Sequence, residues 1–144
     1  MYTGFGLKMK HINNLITKKV YALFTDDEYQ FVSHSSFLVM NYLYENKERE
    51  VTQKDIEKAL MINRATTSKM LLLLEQKGFI RRMGSTEDGR RKIVILTEKG
   101  NDFRIHNLLK ADELNQFFAK VLSDEDFIAF DRIYEKLRSA LDND

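Results

Sequence analysis

Residues 52–78, TQKDIEKALMINRATTSKMLLLLEQKG, decide the fold. Thr52 carries the short hydroxyl of an N-cap, and Asp55, three residues on, carries the carboxylate that answers it, the spacing of a capping box. Ile56, Ala59 and Leu60 give the short helix that follows one apolar face. Asn63 is a second N-cap, opening a helix that runs to Gln76 or Lys77. Gly78 then stands where a helix C-terminus needs positive φ. Only Met61 and Ile62 separate the two helices, and two helices joined this tightly read as a helix-turn-helix.

The second helix divides into two faces. Thr67, Met70, Leu71 and Leu74 share a phase and belong to the core. Arg64, Ala65, Thr66, Ser68 and Lys69 fall on the other side of its N-terminal half. Small and hydroxylated side chains with a base at either end suit a DNA major groove, because they permit close approach and meet phosphates and base edges. The alternative is a merely solvated polar face.

After Gly78 the hydrophobic period shortens. Phe79–Met83 and Lys92–Leu96 are β-prone runs around Gly84-Ser85-Thr86-Glu87-Asp88-Gly89, a stretch of turn formers, which predicts a hairpin with a long charged tip. Arg90 and Arg91 follow that turn, placed to enter a minor groove, where negative potential is focused. Asp88, two residues before Arg90, is the wing support, positioned to hold that guanidinium through a charge-assisted bond. Between Thr52 and Thr97 ten bases face five acids, leaving +5 there and −4 over the rest of a chain of net charge +1. That asymmetry fits a polyanion-binding module on neutral or acidic support.

Helices flank this segment on both sides. Met9, Ile12, Ile16, Val20 and Leu23 recur on one face between Phe5 and Phe24, and Thr25-Asp26-Asp27 interrupts them. Leu38, Val39, Tyr42 and Leu43 turn inward on a helix over about 35–45, with Asn46–Glu50 a turn. Thr97 caps a long helix, and Ser123 with Asp126 repeats the capping-box spacing before a last helix. There Phe127, Phe130, Tyr134, Leu137 and Leu141 form a narrow seam. The expected organisation is an N-terminal dimerisation helix and linker over 1–34, a winged helix-turn-helix over 35–100, and C-terminal dimerisation helices over 101–144. The fold class is mainly α (α+β). A winged module of about 45 residues cannot bury helices this long, so a homodimer is the economical use of them.

The 144-residue chain holds no cysteine, which removes disulfides and thiolate metal sites. No apolar run approaches the ~20 residues of a membrane span, and with no signal-peptide pattern a cytoplasmic protein without membrane contact is expected. No nucleophile–base constellation or phosphate-binding glycine loop is present, so an enzyme is not expected. The aromatics Phe24, Phe31, Phe37, Tyr42, Tyr44, Phe117 and Phe118 suit core packing first and a ligand pocket second.

The stretch Thr52–Gly100 resembles the multiple-antibiotic-resistance regulator (MarR) family. The likeness lies in Asn63-Arg64-Ala65-Thr66-Thr67-Ser68-Lys69, in Leu74-Glu75-Gln76-Lys77-Gly78-Phe79-Ile80-Arg81-Arg82, in Asp88-Gly89-Arg90-Arg91-Lys92 and in Leu96-Thr97-Glu98-Lys99-Gly100. The resemblance implies a triangular dimer with interlocked terminal helices. Recognition helices would enter successive major grooves of double-stranded DNA and wings would reach the minor groove. It also implies repression relieved by a small molecule, here hydrophobic or aromatic, bound between the dimerisation and DNA-binding regions, with no resident cofactor. Members often carry Asp-Pro early in the wing. This chain has Ser85-Thr86, so a more mobile tip is expected. Some relatives bind zinc through histidines and carboxylates. His11, His34 and His106 are the histidines, with Asp102 one turn before His106, yet no His-x-x-x-His pair exists and no metal site is expected. A zinc-responsive regulator and a winged protein-interaction module without DNA binding are the alternatives.

Overall fold

The computed structural model describes residues 4–24 and 34–142. The elements run α1 (Phe5–Phe24), α2 (His34–Glu45), α3 (Gln53–Leu60), α4 (Arg64–Gln76), β1 (Ile80–Gly84), β2 (Lys92–Leu96), α5 (Glu98–Val121) and α6 (Asp124–Asp142). Mostly helical, with one two-stranded sheet, this is the winged helix-turn-helix that the sequence predicts. The interruption at Thr25-Asp26-Asp27 and the aromatic Phe31 lie outside the described residues. Residues up to Leu109 form one compact unit and those from Lys110 a second, so the division falls inside α5.

The first unit holds the winged module. Its core joins Val39, Met40 and Leu43 of α2, Ile56 of α3, Leu71 and Leu74 of α4, Ile80 and Val94 of the hairpin, and Phe103 of α5. Burying a side chain of this size contributes about 1.5–3 kcal/mol. The helix ends around the helix-turn-helix satisfy free backbone groups locally. The Thr52 hydroxyl accepts the Asp55 N–H and the Asp55 carboxylate accepts the Thr52 N–H, closing the capping box. The carboxylate so bonded is held below its ordinary pKa, the Thr52 backbone bond being the main cause. Asn63 Oδ1 accepts the Thr66 N–H at 2.8 Å and starts α4. At the other end Gly78, at φ 78°, lets its own N–H reach the Glu75 carbonyl and the Phe79 N–H reach Leu74, a Schellman closure.

The Phe79 N–H is spent on that closure. Its carbonyl accepts the Thr97 N–H, so β1 begins at Ile80, one residue later than the β-prone run suggests. β1 and β2 pair antiparallel, Ile80 opposite Leu96 and Gly84 opposite Lys92. The Val94 N–H donates to the Val51 carbonyl at 2.7 Å, fastening the α2–α3 connection to β2.

The turn of the helix-turn-helix holds a residue that the sequence does not announce. Met61 has φ 54° and is 75% exposed, a left-handed conformation on a side chain with a Cβ and no compensating burial. That conformation costs roughly 1–2 kcal/mol, whereas glycine adopts it freely at an entropic cost of roughly 0.5–1 kcal/mol. Met61→Gly is therefore expected to stabilise the module by about 0.5–1 kcal/mol, a rise of roughly 2–4 °C in a thermal melt. An unchanged or lower Tm would show that the turn carries no strain.

In the second unit, the Ser123 hydroxyl accepts the Asp126 N–H and the Asp126 carboxylate accepts the Ser123 N–H, the second capping box. Phe117 and Phe118 pack edge to face at 5.4 Å. α6 buries no residue, and Phe127, Phe130, Tyr134 and Leu141 of its seam are exposed.

Candidate nucleic-acid interface

α4 exposes one face and buries the other as its phase requires. Thr67, Leu71 and Leu74 are fully buried, and Met70 packs against the core. The Thr67 hydroxyl is satisfied by donating to the Asn63 carbonyl at 2.9 Å, which lets a polar residue sit in the core. Arg64, Ala65, Thr66, Ser68 and Lys69 are all exposed. They sit on the N-terminal half of α4, where the positive end of the helix dipole adds to Arg64 and Lys69. The face is shallow, cationic and rich in hydroxyl groups.

The hairpin tip is built from its backbone outward. The Ser85 N–H donates to the Arg91 carbonyl at 2.7 Å, and the Arg91 N–H donates to the Asp88 carbonyl at 2.9 Å. Asp88 makes a different bond from the one its spacing suggests. Its carboxylate accepts the Arg90 backbone N–H at 3.0 Å, an Asx turn. Among the described residues no ion pair joins Asp88 to the Arg90 guanidinium. A residue two positions away in a tight turn presents its N–H to the carboxylate more readily than its side chain. Arg90 and Arg91 are both exposed but differ in setting: the Arg91 charge helps to hold down both the Glu50 and the Asp55 carboxyl groups.

Glu50 is the residue that sequence reasoning missed. Its Oε1 accepts the Thr86 N–H at 3.0 Å and the Thr86 hydroxyl at 2.7 Å, while its Oε2 accepts the Ser85 hydroxyl at 2.5 Å. Ser85 is buried, and its Oγ also accepts the Glu87 N–H. Where a mobile tip is expected from Ser85-Thr86, the structure shows the shoulder of the wing bonded to the α2–α3 connection. These bonds hold the Glu50 carboxyl at a pKa of about 2, the Ser85 bond being the largest cause. Because the folded pKa lies below the ordinary 4.5, the contribution of this anchor is fully present above pH 4.5 and is lost as pH falls through about 2.

A cleft of about 370 Å³ opens beside this module, lined by Tyr44, Lys47 and Arg49, by Val51 and Val94, and by Asn101 among others. The buried Arg104 guanidinium lies 3.6 Å from the Tyr44 ring centroid. Of the other aromatic candidates, Phe24 and Phe37 pack with each other and with the His34 ring. Burial there pushes the His34 pKa below 6.5 and favours the neutral imidazole. Among the described residues no three His, Asp or Glu side chains are grouped to hold a metal ion, and no helix is long and apolar enough to cross a membrane.

Comparison with known proteins converges on one group. A profile of the MarR family matches residues 32–92. A Bacillus subtilis protein described as an uncharacterised HTH-type transcriptional regulator, YdgJ, is 29% identical over 114 residues, covering 78% of this chain and 67% of its own. The Escherichia coli HTH-type transcriptional regulator PrsX is 28% identical over a stretch covering 78% of this chain and 68% of that protein. Among solved structures, that of the S. aureus MepR–DNA complex superposes with a TM-score of 0.83 at 26% identity, covering 94% of this chain and 97% of MepR.

Proposed function

We propose that this DNA-binding transcriptional regulator, matched over residues 32–92 by the MarR profile, is a member of that family and works as a homodimeric, ligand-responsive repressor of a pseudo-palindromic operator. The observation that carries this reading is the exposed Arg64–Lys69 face of α4 beside a wing whose tip bears Arg90 and Arg91. In this reading Arg64, Ala65, Thr66, Ser68 and Lys69 enter the major groove and Arg90 the adjacent minor groove. Arg91 meets the backbone, and Asp88 shapes the tip. The resemblance of the fold to MepR, which was solved with DNA, supports it. No catalytic step belongs to the reading, and its setting is the cytoplasm.

The dimer is supported by what each unit leaves uncovered. Among the described residues of α1 only Phe24 is buried, while Phe5, Met9, Ile12 and Leu15 are exposed; α6 shows Phe127, Phe130 and Tyr134. Apolar surface on this scale marks an interface, and a second copy is the occupant that places two recognition helices about one DNA turn apart. For the effector, the cleft beside Tyr44, with apolar walls from Val51 and Val94, supports a small hydrophobic or aromatic molecule.

Two measurements test the reading. Sedimentation is expected to give twice the 17.0 kDa chain mass, shifting toward the monomer in a Phe130→Glu, Tyr134→Glu variant that also loses operator binding. Titration of a duplex from upstream of the protein's own gene is expected to show affinity falling steeply with salt, with a log–log slope near −0.9 for each phosphate neutralised. Salt-insensitive binding, or full operator affinity in a monomeric variant, contradicts it.

A further inference from the structure

Glu50 has no part in the groove contacts just described, yet it makes three of the bonds that fix the wing. We propose that Glu50 is a positioning residue for DNA recognition, clamping the wing so that Arg90 is held at a fixed angle to the recognition helix. A two-stranded hairpin is marginal on its own, and its tip is free to swing unless a further element holds it. Here the chain just before α3 holds it at two levels. The Val51 carbonyl takes the Val94 N–H on the strand, and the Glu50 carboxylate takes the Ser85 and Thr86 donors at the shoulder, 35 and 36 residues away in sequence. Both oxygens are used, and the bonds are charge-assisted, the stronger kind. Beyond the shoulder, the Ser85–Arg91 and Asp88–Arg91 backbone bonds and the Asp88 Asx turn carry that fixed direction to Arg90. The Arg91 charge adds a smaller contribution beside these bonds, favouring the ionised Glu50 carboxylate.

The sign of the effect separates this role from simple electrostatics. A carboxylate near a polyanion repels it, so deleting Glu50 raises affinity if charge alone matters. It lowers operator affinity if the clamp matters. This inference rests on the proposed entry of Arg90 into the groove, and the test keeps the two apart. Fluorescence anisotropy would compare wild type, Glu50→Ala, Glu50→Gln, Arg90→Ala and the Glu50→Ala, Arg90→Ala double variant. The probes are the upstream duplex and a scrambled duplex of equal length. Glu50→Ala is expected to weaken binding to the upstream duplex about tenfold and to leave the scrambled duplex unchanged or bound more tightly. Glu50→Gln, which keeps one acceptor oxygen, is expected to fall between. The double variant is expected to lose no more than Arg90→Ala alone, because the two residues act in series. Should Glu50→Ala fail to fold, Thr86→Ala at an exposed site removes one of the three bonds and is expected to show the same coupling at smaller amplitude. Equal or tighter binding of Glu50→Ala to both duplexes, or losses that add in the double variant, overturns the clamp alone. An Arg90→Ala variant that loses nothing overturns the groove entry of Arg90 and the clamp together.

Discussion

Gly100→Ala is expected to destabilise the winged module by about 3 kcal/mol or more, the upper end of what overpacking costs. A Cβ built at Gly100 lies 2.0 Å from the Phe79 carbonyl oxygen and 2.8 Å from Leu96 Cδ1. The closest obstacle is backbone, which cannot rotate away. That backbone is fixed from several sides. Phe79 closes the C-terminus of α4 through its N–H and accepts the Thr97 N–H at its carbonyl. Thr97 in turn donates its hydroxyl to the Gly78 carbonyl and accepts the Gly100 N–H, while Lys99 Nζ donates to the Lys77 carbonyl at 2.8 Å. The start of α5 therefore docks onto the α4–β1 corner backbone to backbone. In an open helix, replacing glycine by alanine gains up to about 1 kcal/mol, so the sign is reversed here by packing. Gly89→Ala is the control: nothing lies within 4 Å of a Cβ there, and a change within about 0.5 kcal/mol is expected. Urea unfolding of the three proteins decides the matter. A Gly100→Ala variant as stable as wild type would mean that α5 does not seat on this corner.

That corner is also a measure of what the sequence makes legible. The caps at Thr52, Asn63, Gly78 and Ser123 are local devices, each requiring residues three or four positions apart, so their spacing reveals them. The faces of α4 follow from a period of 3.6, and Thr67 is recognisable as buried because its phase outweighs its hydroxyl. The Glu50 anchor is different in kind. A carboxylate in one turn and two hydroxyls in another, 35 residues later, carry no periodicity, and each reads alone as a solvated loop residue. Ser85-Thr86 invites the opposite inference, a loose tip, because the proline that stiffens relatives is absent. The left-handed Met61 is equally invisible, since nothing in a methionine announces positive φ. The apolar faces of α1 and α6 are legible as faces. Periodicity does not say whether the same chain or another covers them, and the described structure leaves them open.

Lys69→Ala and Arg90→Ala are each expected to weaken operator binding by about 1–3 kcal/mol, and their patterns are expected to differ. Lys69 stands at the C-terminal edge of the exposed α4 face, where a long cationic side chain reaches a phosphate or a guanine edge. A phosphate contact weakens all duplexes alike and reduces the salt slope by about 1, whereas a base contact is lost only on the operator. Arg90 lies at the wing tip, its backbone fixed by the Asp88 carboxylate. In a minor groove its attraction depends on groove width, so its loss is expected to matter most on duplexes with A·T-rich sequence at the wing position and little where that position is G·C-rich. Arg91→Ala is expected to cost less than Arg90→Ala, because in the proposed pose Arg91 meets only the DNA backbone whereas Arg90 enters the groove. Three substitutions tested at several salt concentrations on three duplexes, the operator, a form of it changed at the wing position and an unrelated sequence, give every quantity required. Full operator affinity in Lys69→Ala and Arg90→Ala alike, with the dimer intact, would place the DNA contact elsewhere on the molecule. Equal losses for Arg90 and Arg91 would remove the division of labour between them.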